Sequence, residues 1–144
     1  MRVRTCFHIV SALAIVGCTT HGESVPSMVQ LLTDPAAFAG SEISVRGYLA
    51  APIFNLALFL TQEHAALADH VSSIPVADST PDGYLTNECA GHPAIVDGTL
   101  QKRGDAPFIV AASGRSLLYI ISDVRRVLIY RDGQLEQCWP PESE

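Results

Sequence analysis

The segment Val45-Arg46-Gly47-Tyr48-Leu49 reads Val-x-Gly-x-Leu, and the same pattern returns 51 residues later as Val96-Asp97-Gly98-Thr99-Leu100. Around both segments apolar and polar residues alternate, which is typical of a strand with one buried face. A glycine inside a strand costs stability unless it permits a bulge or a sharp bend. Small barrels need such a bend where one strand serves two sheets. The repeat therefore predicts two strands that bend at their glycines.

Short helices and further strands surround this pair. Ser27 is placed to cap a short helix, and a second helical turn starts at Asp34-Pro35 and stops at Gly40. The residues between 78 and 91 are polar and are predicted to form a loop. The strand that contains the second repeat covers residues 93–100. Further strands are predicted over residues 56–60, 73–76, 108–111 and 116–130. The fold class is therefore mainly β.

The residues before the first glycine strand add a family resemblance. Asp34, Pro35, Phe38 and Gly40 form an Asp-Pro-x-x-Phe-x-Gly element ahead of Val-x-Gly-Tyr-Leu. This combination resembles small bacterial OB-fold domains, and the resemblance spans about residues 29–127. Its motifs are structural and carry no catalytic residue. The resemblance implies a small five-stranded OB-like barrel with a short N-terminal helix, forming one domain over residues 27–144.

The first 18 residues have the features of an export signal. A basic start with Arg2 and Arg4 precedes an apolar run, Phe7–Val16, and the small residue Gly17 precedes Cys18. The run is only about ten residues long, whereas a spanning helix needs about 20. Its end resembles the lipobox of bacterial lipoproteins, which implies removal of residues 1–17, acylation of Cys18 and a tether over residues 18–26. The alternative is an ordinary secretory peptide in which Cys18 is incidental.

Charge and the residue after the cysteine bear on location and partners. The chain has 9 basic and 15 acidic residues and a net charge of -6, which disfavours nucleic acid as a partner. In bacterial lipoproteins an aspartate directly after the acylated cysteine resembles an inner-membrane retention signal. Here Thr19 follows Cys18 instead. We therefore expect a lipid-anchored protein on the periplasmic face of the outer membrane.

The four cysteines fit an oxidising compartment. Cys6 lies in the segment expected to be removed and Cys18 is expected to be acylated, so Cys89 and Cys138 remain. Two thiols in such a compartment normally pair, and neither has a Cys-x-x-Cys partner or an adjacent base. The sequence predicts a structural disulfide. Trp139, next to Cys138, is then either a lid over one end of the domain or an exposed anchor for a partner.

Signals for catalysis are weak. The histidines His21, His64, His70 and His92 lack the spacing of a metal site, and Gly-x-Ser-x-Gly is missing around Ser113-Gly114-Arg115-Ser116. Paired carboxylates for hydrolysis would have to come from Glu88, Asp97 and Asp123, whose separation the sequence does not define. No catalytic residue, metal or cofactor is predicted.

A binding rim is predicted from the loops of an OB-like barrel. The candidate residues lie in residues 51–55 and 101–115 and are Phe54, Asn55, Lys102, Arg103, Phe108 and Arg115. An aromatic and basic rim on an acidic protein suits an acidic partner protein or an anionic glycan. The alternative is that Phe54 and Phe108 belong to the core.

The predicted function is a binding or accessory module for an envelope protein or a small ligand, and the alternative is a small envelope hydrolase.

Overall fold

The fold is known from a computed structural model that describes residues 24–53, 55–104 and 118–141. Two α-helices occur in these residues, α1 (Met28–Thr33) and α2 (Gln62–Ala66). The strands are β1 (Glu42–Ala50), β2 (Ala57–Phe59), β3 (Ser73–Pro75), β4 (His92–Lys102), β5 (Tyr119–Arg131) and β6 (Gln134–Trp139). Short 3-10 turns cover Pro35–Phe38, His70–Ser72 and Pro81–Gly83. The mainly β fold class is confirmed. None of the helices in these ranges has the length and apolarity needed to cross a membrane.

The six strands form one sheet in the order β3-β2-β1-β4-β5-β6, and every neighbouring pair is antiparallel. The prediction of a five-stranded barrel is therefore wrong in both its strand count and its closure. The additional strand exists because Asp132 and Gly133 both take positive φ, 52° and 80°, as the two-residue turn of a hairpin requires. The sheet stays open because β3 is short and meets β5 through an isolated parallel bridge between Val76 and Ile121.

The two repeated glycines mark the places where backbones come closest. A Cβ atom on Gly47 would lie 2.6 Å from the carbonyl oxygen of Phe59, and one on Gly98 would lie 2.8 Å from that of Ser122. The predicted irregularity at Gly98 is confirmed, because the β4–β5 register shifts between Asp97 and Thr99. At Gly47 the β1–β4 register is regular, and the glycine instead admits β2, which begins to pair with β1 at the next residue.

The inner face of the sheet forms the main core. Alternate residues of β1 and β4 are fully buried, as the sequence pattern predicts, and Leu31 of α1 packs against them. The helix begins where expected, because the Ser27 hydroxyl accepts from the backbone N–H of Gln30 while the Gln30 side chain accepts from the backbone N–H of Ser27.

A second, smaller cluster covers the outer face of β2. Ala65 of α2 packs with Ala57 and Phe59 of β2, and Tyr48 and Ala50 of β1 border the contact. Thr61 starts this helix by accepting from the backbone N–H of His64. Because α2 lies on β2, the outer face of that strand is closed to ligands.

The end of the sheet near β6 is tied by the predicted disulfide. Cys89 and Cys138 are bonded, with their Cα atoms 5.9 Å apart, so this prediction is confirmed. The segment predicted as loop contains a π-helical turn, Leu85–Cys89, which ends at the bridge. Trp139 is half-buried against the core, with its ring centre 5.6 Å from that of Tyr84, which supports the lid interpretation.

Candidate ligand-binding groove

A groove of about 770 Å³ runs along the outer face of the sheet between α1 and α2. Its walls come from the segment leading into α1 and from the start of α2, and its floor comes from β1 and β4. The lining residues are Val25, Pro26, Ser27, Met28, Val29, Ser44, Arg46, Gly47, Tyr48, Leu60, Thr61, Gln62, Pro93 and Ile95. Most of these side chains are apolar, so the groove suits an apolar ligand or part of one.

One wall owes its shape to the short helix α1. The helix turns Met28 and Leu31 into the core, which leaves Val29 on its outer side. Val29 is 57% exposed and Val25, just ahead of the helix, is 79% exposed. Exposed apolar side chains that share a concave surface point to an interaction site more than scattered ones do. This wall is therefore apolar and accessible.

The floor is built from side chains that point away from the core. Arg46 is cross-strand neighbour to Ile95, and Tyr48 is neighbour to Pro93. The Tyr48 hydroxyl donates to the carbonyl oxygen of Gly91 over 2.8 Å, which fixes its ring. The floor thus combines one cation with apolar and aromatic surface.

The environment of Arg46 differs from that of the other strand arginines. Arg125 pairs with Glu42, Arg126 with Asp97, and Arg131 with Glu136. Over the ranges that the structure describes, no carboxylate lies within ion-pair distance of Arg46. Its guanidinium carbon lies 5.9 Å from the centre of the Tyr130 ring, a cation–π distance. The groove therefore has a positive charge with no anionic partner among the described residues.

A threonine and a histidine meet at the opposite wall. The Thr61 Oγ1 atom lies 2.8 Å from Nδ1 of His64. The same hydroxyl is the main reason why the pKa of Glu63 lies below its ordinary value. One hydroxyl proton cannot be donated to both groups at once, and Thr61 also caps α2. In the described part of the chain no third side chain hydrogen-bonds to His64 to orient it as a catalytic base.

Two of the three carboxylates considered for hydrolysis, Asp97 and Asp123, have other partners. Asp97 is only 4% exposed, and its Oδ2 accepts from Nε of Arg126 over 2.6 Å. Its Oδ1 is buried without a hydrogen-bond partner among the described residues. Asp123 accepts from the Gln101 amide over 3.2 Å, and Glu88 lies in the π-helical turn. These contacts engage Asp97 and Asp123 structurally. Across residues 24–53, 55–104 and 118–141, no cluster of three or more His, Cys, Asp or Glu residues has a metal-site arrangement.

The predicted rim residues that the structure describes lie away from the groove lining. Asn55 is exposed just after β1, whose end pairs Leu49 with His92. Lys102, also exposed, ends β4 at the opposite end of that ladder, and Arg103 is half-buried with its backbone N–H donating to Leu118. Their role in binding stays a prediction. Phe54, Phe108, Arg115 and the lipidation candidate Cys18 lie outside the described residues.

Sequence reasoning missed the groove itself. Its one local signal was Ile95, an apolar residue on the polar side of an alternating strand, between Ala94 and Val96. The repeat also contained Arg46 and Tyr48, but their pattern does not distinguish a binding floor from a solvated face. Neither the scan against protein-family models nor the search of curated proteins finds a match to this chain.

Proposed function

We propose that the protein is a lipid-anchored binding module of the bacterial cell envelope, held at the periplasmic face of the outer membrane through Cys18. Its binding site is the groove between α1 and α2, and its occupant is a small amphipathic molecule. The observation that supports this proposal is the groove, which has a volume of about 770 Å³ and a mostly apolar, concave lining. Sites for small molecules have volumes of about 300–1,000 Å³ and a mostly apolar lining with few polar groups.

The strand arrangement is compatible with an OB-like class. Five strands lie side by side in the order β3-β2-β1-β4-β5. The bridge between Val76 and Ile121 brings the end of β3 against β5. OB-folds are partly open five-stranded barrels that bind ligands mainly on strands two and three. Here α2 covers the outer face of β2, so the accessible surface shifts to β1 and β4. We infer an OB-like domain with a displaced binding face.

The anchor would keep the groove near the membrane. Six peptide units join Cys18 to Ser24, which forms a bridge with Ile43. A chain of that length reaches at most about 22 Å, since each residue spans up to about 3.6 Å. Val25, the next residue, lines the groove. A ligand drawn from the bilayer would therefore have a short path to the site.

The anchor is tested by Cys18→Ser in the full-length precursor. We expect the wild type to fractionate with membranes and to carry the mass of an acylated N-terminus, and the variant to do neither. A variant that stays in the membrane fraction with unchanged processing would rule out acylation at Cys18.

The groove is tested with N-phenyl-1-naphthylamine, a neutral apolar dye whose fluorescence rises in apolar sites. We expect saturable binding to the purified protein, and a loss of at least about tenfold in affinity for Val29→Glu, because a carboxylate on the wall must be desolvated when the dye binds. Val71→Glu is the matched control: Val71 is also 57% exposed and does not line the groove.

Two results would overturn the groove as the site. One is the absence of saturable dye binding to the folded wild type. The other is an equal loss of binding in Val29→Glu and Val71→Glu, which would indicate nonspecific adsorption to the surface.

The hydrolase alternative has one specific observation in its favour, the contact between Thr61 and His64 at the groove wall. We expect no turnover of acyl esters of 4-nitrophenol above background, because the hydroxyl serves as a helix cap and no described side chain other than Thr61 hydrogen-bonds to the ring. Turnover that disappears in both Thr61→Val and His64→Gln would instead favour the hydrolase.

A further inference from the structure

We infer that the groove selects amphiphiles with an anionic head, a carboxylate or a phosphate, and that Arg46 binds this head while the apolar tail lies between α1 and α2. The inference rests on the proposed function, since it names the ligand class of that site. Arg46 supplies the charge, and the flanking surfaces supply the apolar contact.

The charge distribution of the molecule supports an anionic ligand. The chain has a net charge of -6, and the strand arginines Arg125, Arg126 and Arg131 are each paired with a carboxylate. Arg46 has no such pair among the described residues, although acidic residues outnumber basic ones. An anion in the groove would complete the same kind of ion pair that the other three already have.

The geometry of Arg46 leaves its donors accessible. The side chain is exposed, and its contact with Tyr130 is over the ring face rather than through a hydrogen bond. A guanidinium has five N–H donors in a planar fork that matches two oxygens of a carboxylate or phosphate. A cation–π contact uses no N–H group, so it leaves the donors of Arg46 for the ligand.

The remaining lining favours a hydrocarbon tail over a sugar or a nucleotide. Pro93 and Ile95 lie on the floor of the groove, Leu60 lies beside the start of α2, and the exposed valines form the α1 wall. A sugar would need many free polar partners for its hydroxyl groups, whereas three polar side chains of the lining are already engaged: Ser27 and Thr61 cap helices, and Tyr48 donates to Gly91. An acyl chain needs none, and burying it is favourable in proportion to the area removed from water.

The test compares ligands that share a tail and differ in the head. Dodecanoate, dodecyl phosphate, 1-dodecanol and dodecyltrimethylammonium would compete with the neutral dye, below their micelle concentrations and at low salt. For the wild type we expect both anions to bind about tenfold or more tightly than the alcohol, as a charge-assisted hydrogen bond allows, and the cation to bind most weakly. Tighter binding of dodecanoate would indicate a fatty acid as the natural ligand. Tighter binding of dodecyl phosphate would indicate a phosphate-headed lipid.

Arg46→Gln should remove the preference for anions over the alcohol, when the affinity of each competitor is expressed relative to that variant's own affinity for the neutral dye. Arg131→Gln is the control for net charge, since Arg131 lies outside the groove lining and pairs with Glu136. It should keep the preference for anions.

The outcomes separate the two proposals. If the dye does not bind the wild type, the proposed groove function fails. If the dye binds but anions and alcohol compete equally, or if Arg46→Gln keeps the preference, the groove stands and the inference about its ligand is overturned. If acylated protein binds no amphiphile while Cys18→Ser binds them, the occupant is the protein's own acyl chain and the inference is also overturned.

Discussion

The end of the sheet near β6 and the groove near α1 are built in opposite ways. At the β6 end, the disulfide joins a π-helical turn to the last strand, and Trp139 packs against Tyr84. At the groove, Val25 and Val29 are left exposed on short elements. Stability within a protein is unevenly distributed, and binding surfaces belong to the parts with fewer buried contacts. We therefore expect substitutions at the β6 end to affect folding and substitutions in the groove to affect binding.

Hydrogen bonds reinforce the β6 end. The Asp78 carboxylate accepts from Thr80 through its Oδ1 and from both the backbone N–H and the hydroxyl of Thr86 through its Oδ2, at 2.8 and 2.6 Å. These bonds order the segment that leads to Cys89. The polar contacts at the described residues of the groove are more local: the capping box of Ser27 and Gln30, the Tyr48 hydroxyl bond and the Thr61 cap.

The largest expected effect comes from the disulfide. Cys138→Ser should lower the free energy of unfolding by about 4 kcal/mol, because the bridge closes a loop of 49 residues in the unfolded chain. Urea denaturation of the non-acylated protein measures the loss against the oxidised wild type, and the reduced wild type should show the same loss. The double variant Cys89→Ser with Cys138→Ser should lose the same amount. A loss below about 1 kcal/mol would mean that the β6 end does not depend on the bridge.

A smaller loss of stability is expected at Gly98, where the backbones of β4 and β5 approach closely. Gly98→Ala should cost about 1–3 kcal/mol, because its Cβ atom would lie 2.8 Å from both the Ser122 carbonyl oxygen and an Ile121 methyl group. Gly104→Ala is the matched control, since no atom of the described residues lies within 4 Å of the added atom. Equal stability of the two variants in urea denaturation would show that the strands can separate at little cost.

The pH dependence of stability should reveal the Asp78 network. Burial raises the pKa of Asp78, but hydrogen bonds from Thr80 and Thr86 outweigh it and hold the pKa below its usual value of 3.8. A carboxyl group with a depressed pKa in the folded state stabilises the fold above its unfolded pKa, and this stability is lost as the pH falls through the folded value. Asp78→Asn should cost about 1–2 kcal/mol at pH 7, because the new amide donors would face the donors of Thr86.

The measurement is urea denaturation from pH 7 down to about pH 3, where the difference between Asp78→Asn and the wild type should shrink as the wild-type carboxyl group becomes protonated. Asp82→Asn, in the same segment but exposed, is the control and should change little. A difference that stays constant over this pH range would assign the effect to packing rather than to charge.

The smallest effect on stability is expected in the groove. Val29→Glu should change the free energy of unfolding by less than about 0.5 kcal/mol, as is usual for exposed positions, while it weakens dye binding. A large loss of stability in this variant would remove the contrast between the two regions.

Much of the architecture was predictable from local patterns. The helix cap at Ser27, the strand alternation around Val45 and Val96, and the pairing of Cys89 with Cys138 follow from side-chain chemistry and spacing. The sixth strand was not predicted, although the Asp132-Gly133 turn signal was present, because residues 134–139 alternate poorly and are mostly exposed. The prediction of a closed barrel was wrong because closure depends on contacts between β3 and β5, which are far apart in sequence.

The sequence by itself determined the irregularity at Gly98, the start of α1 and the pairing of two cysteines, because each of these depends on a few neighbouring residues or on simple exclusion. Only the tertiary structure decided which outward-facing residues are covered. Ala65 of α2 packs on Phe59 and closes one outer face, while the surface around Arg46 and Ile95 stays open as a groove. The same alternating pattern is compatible with either outcome, since covering a strand face depends on how distant segments pack over it.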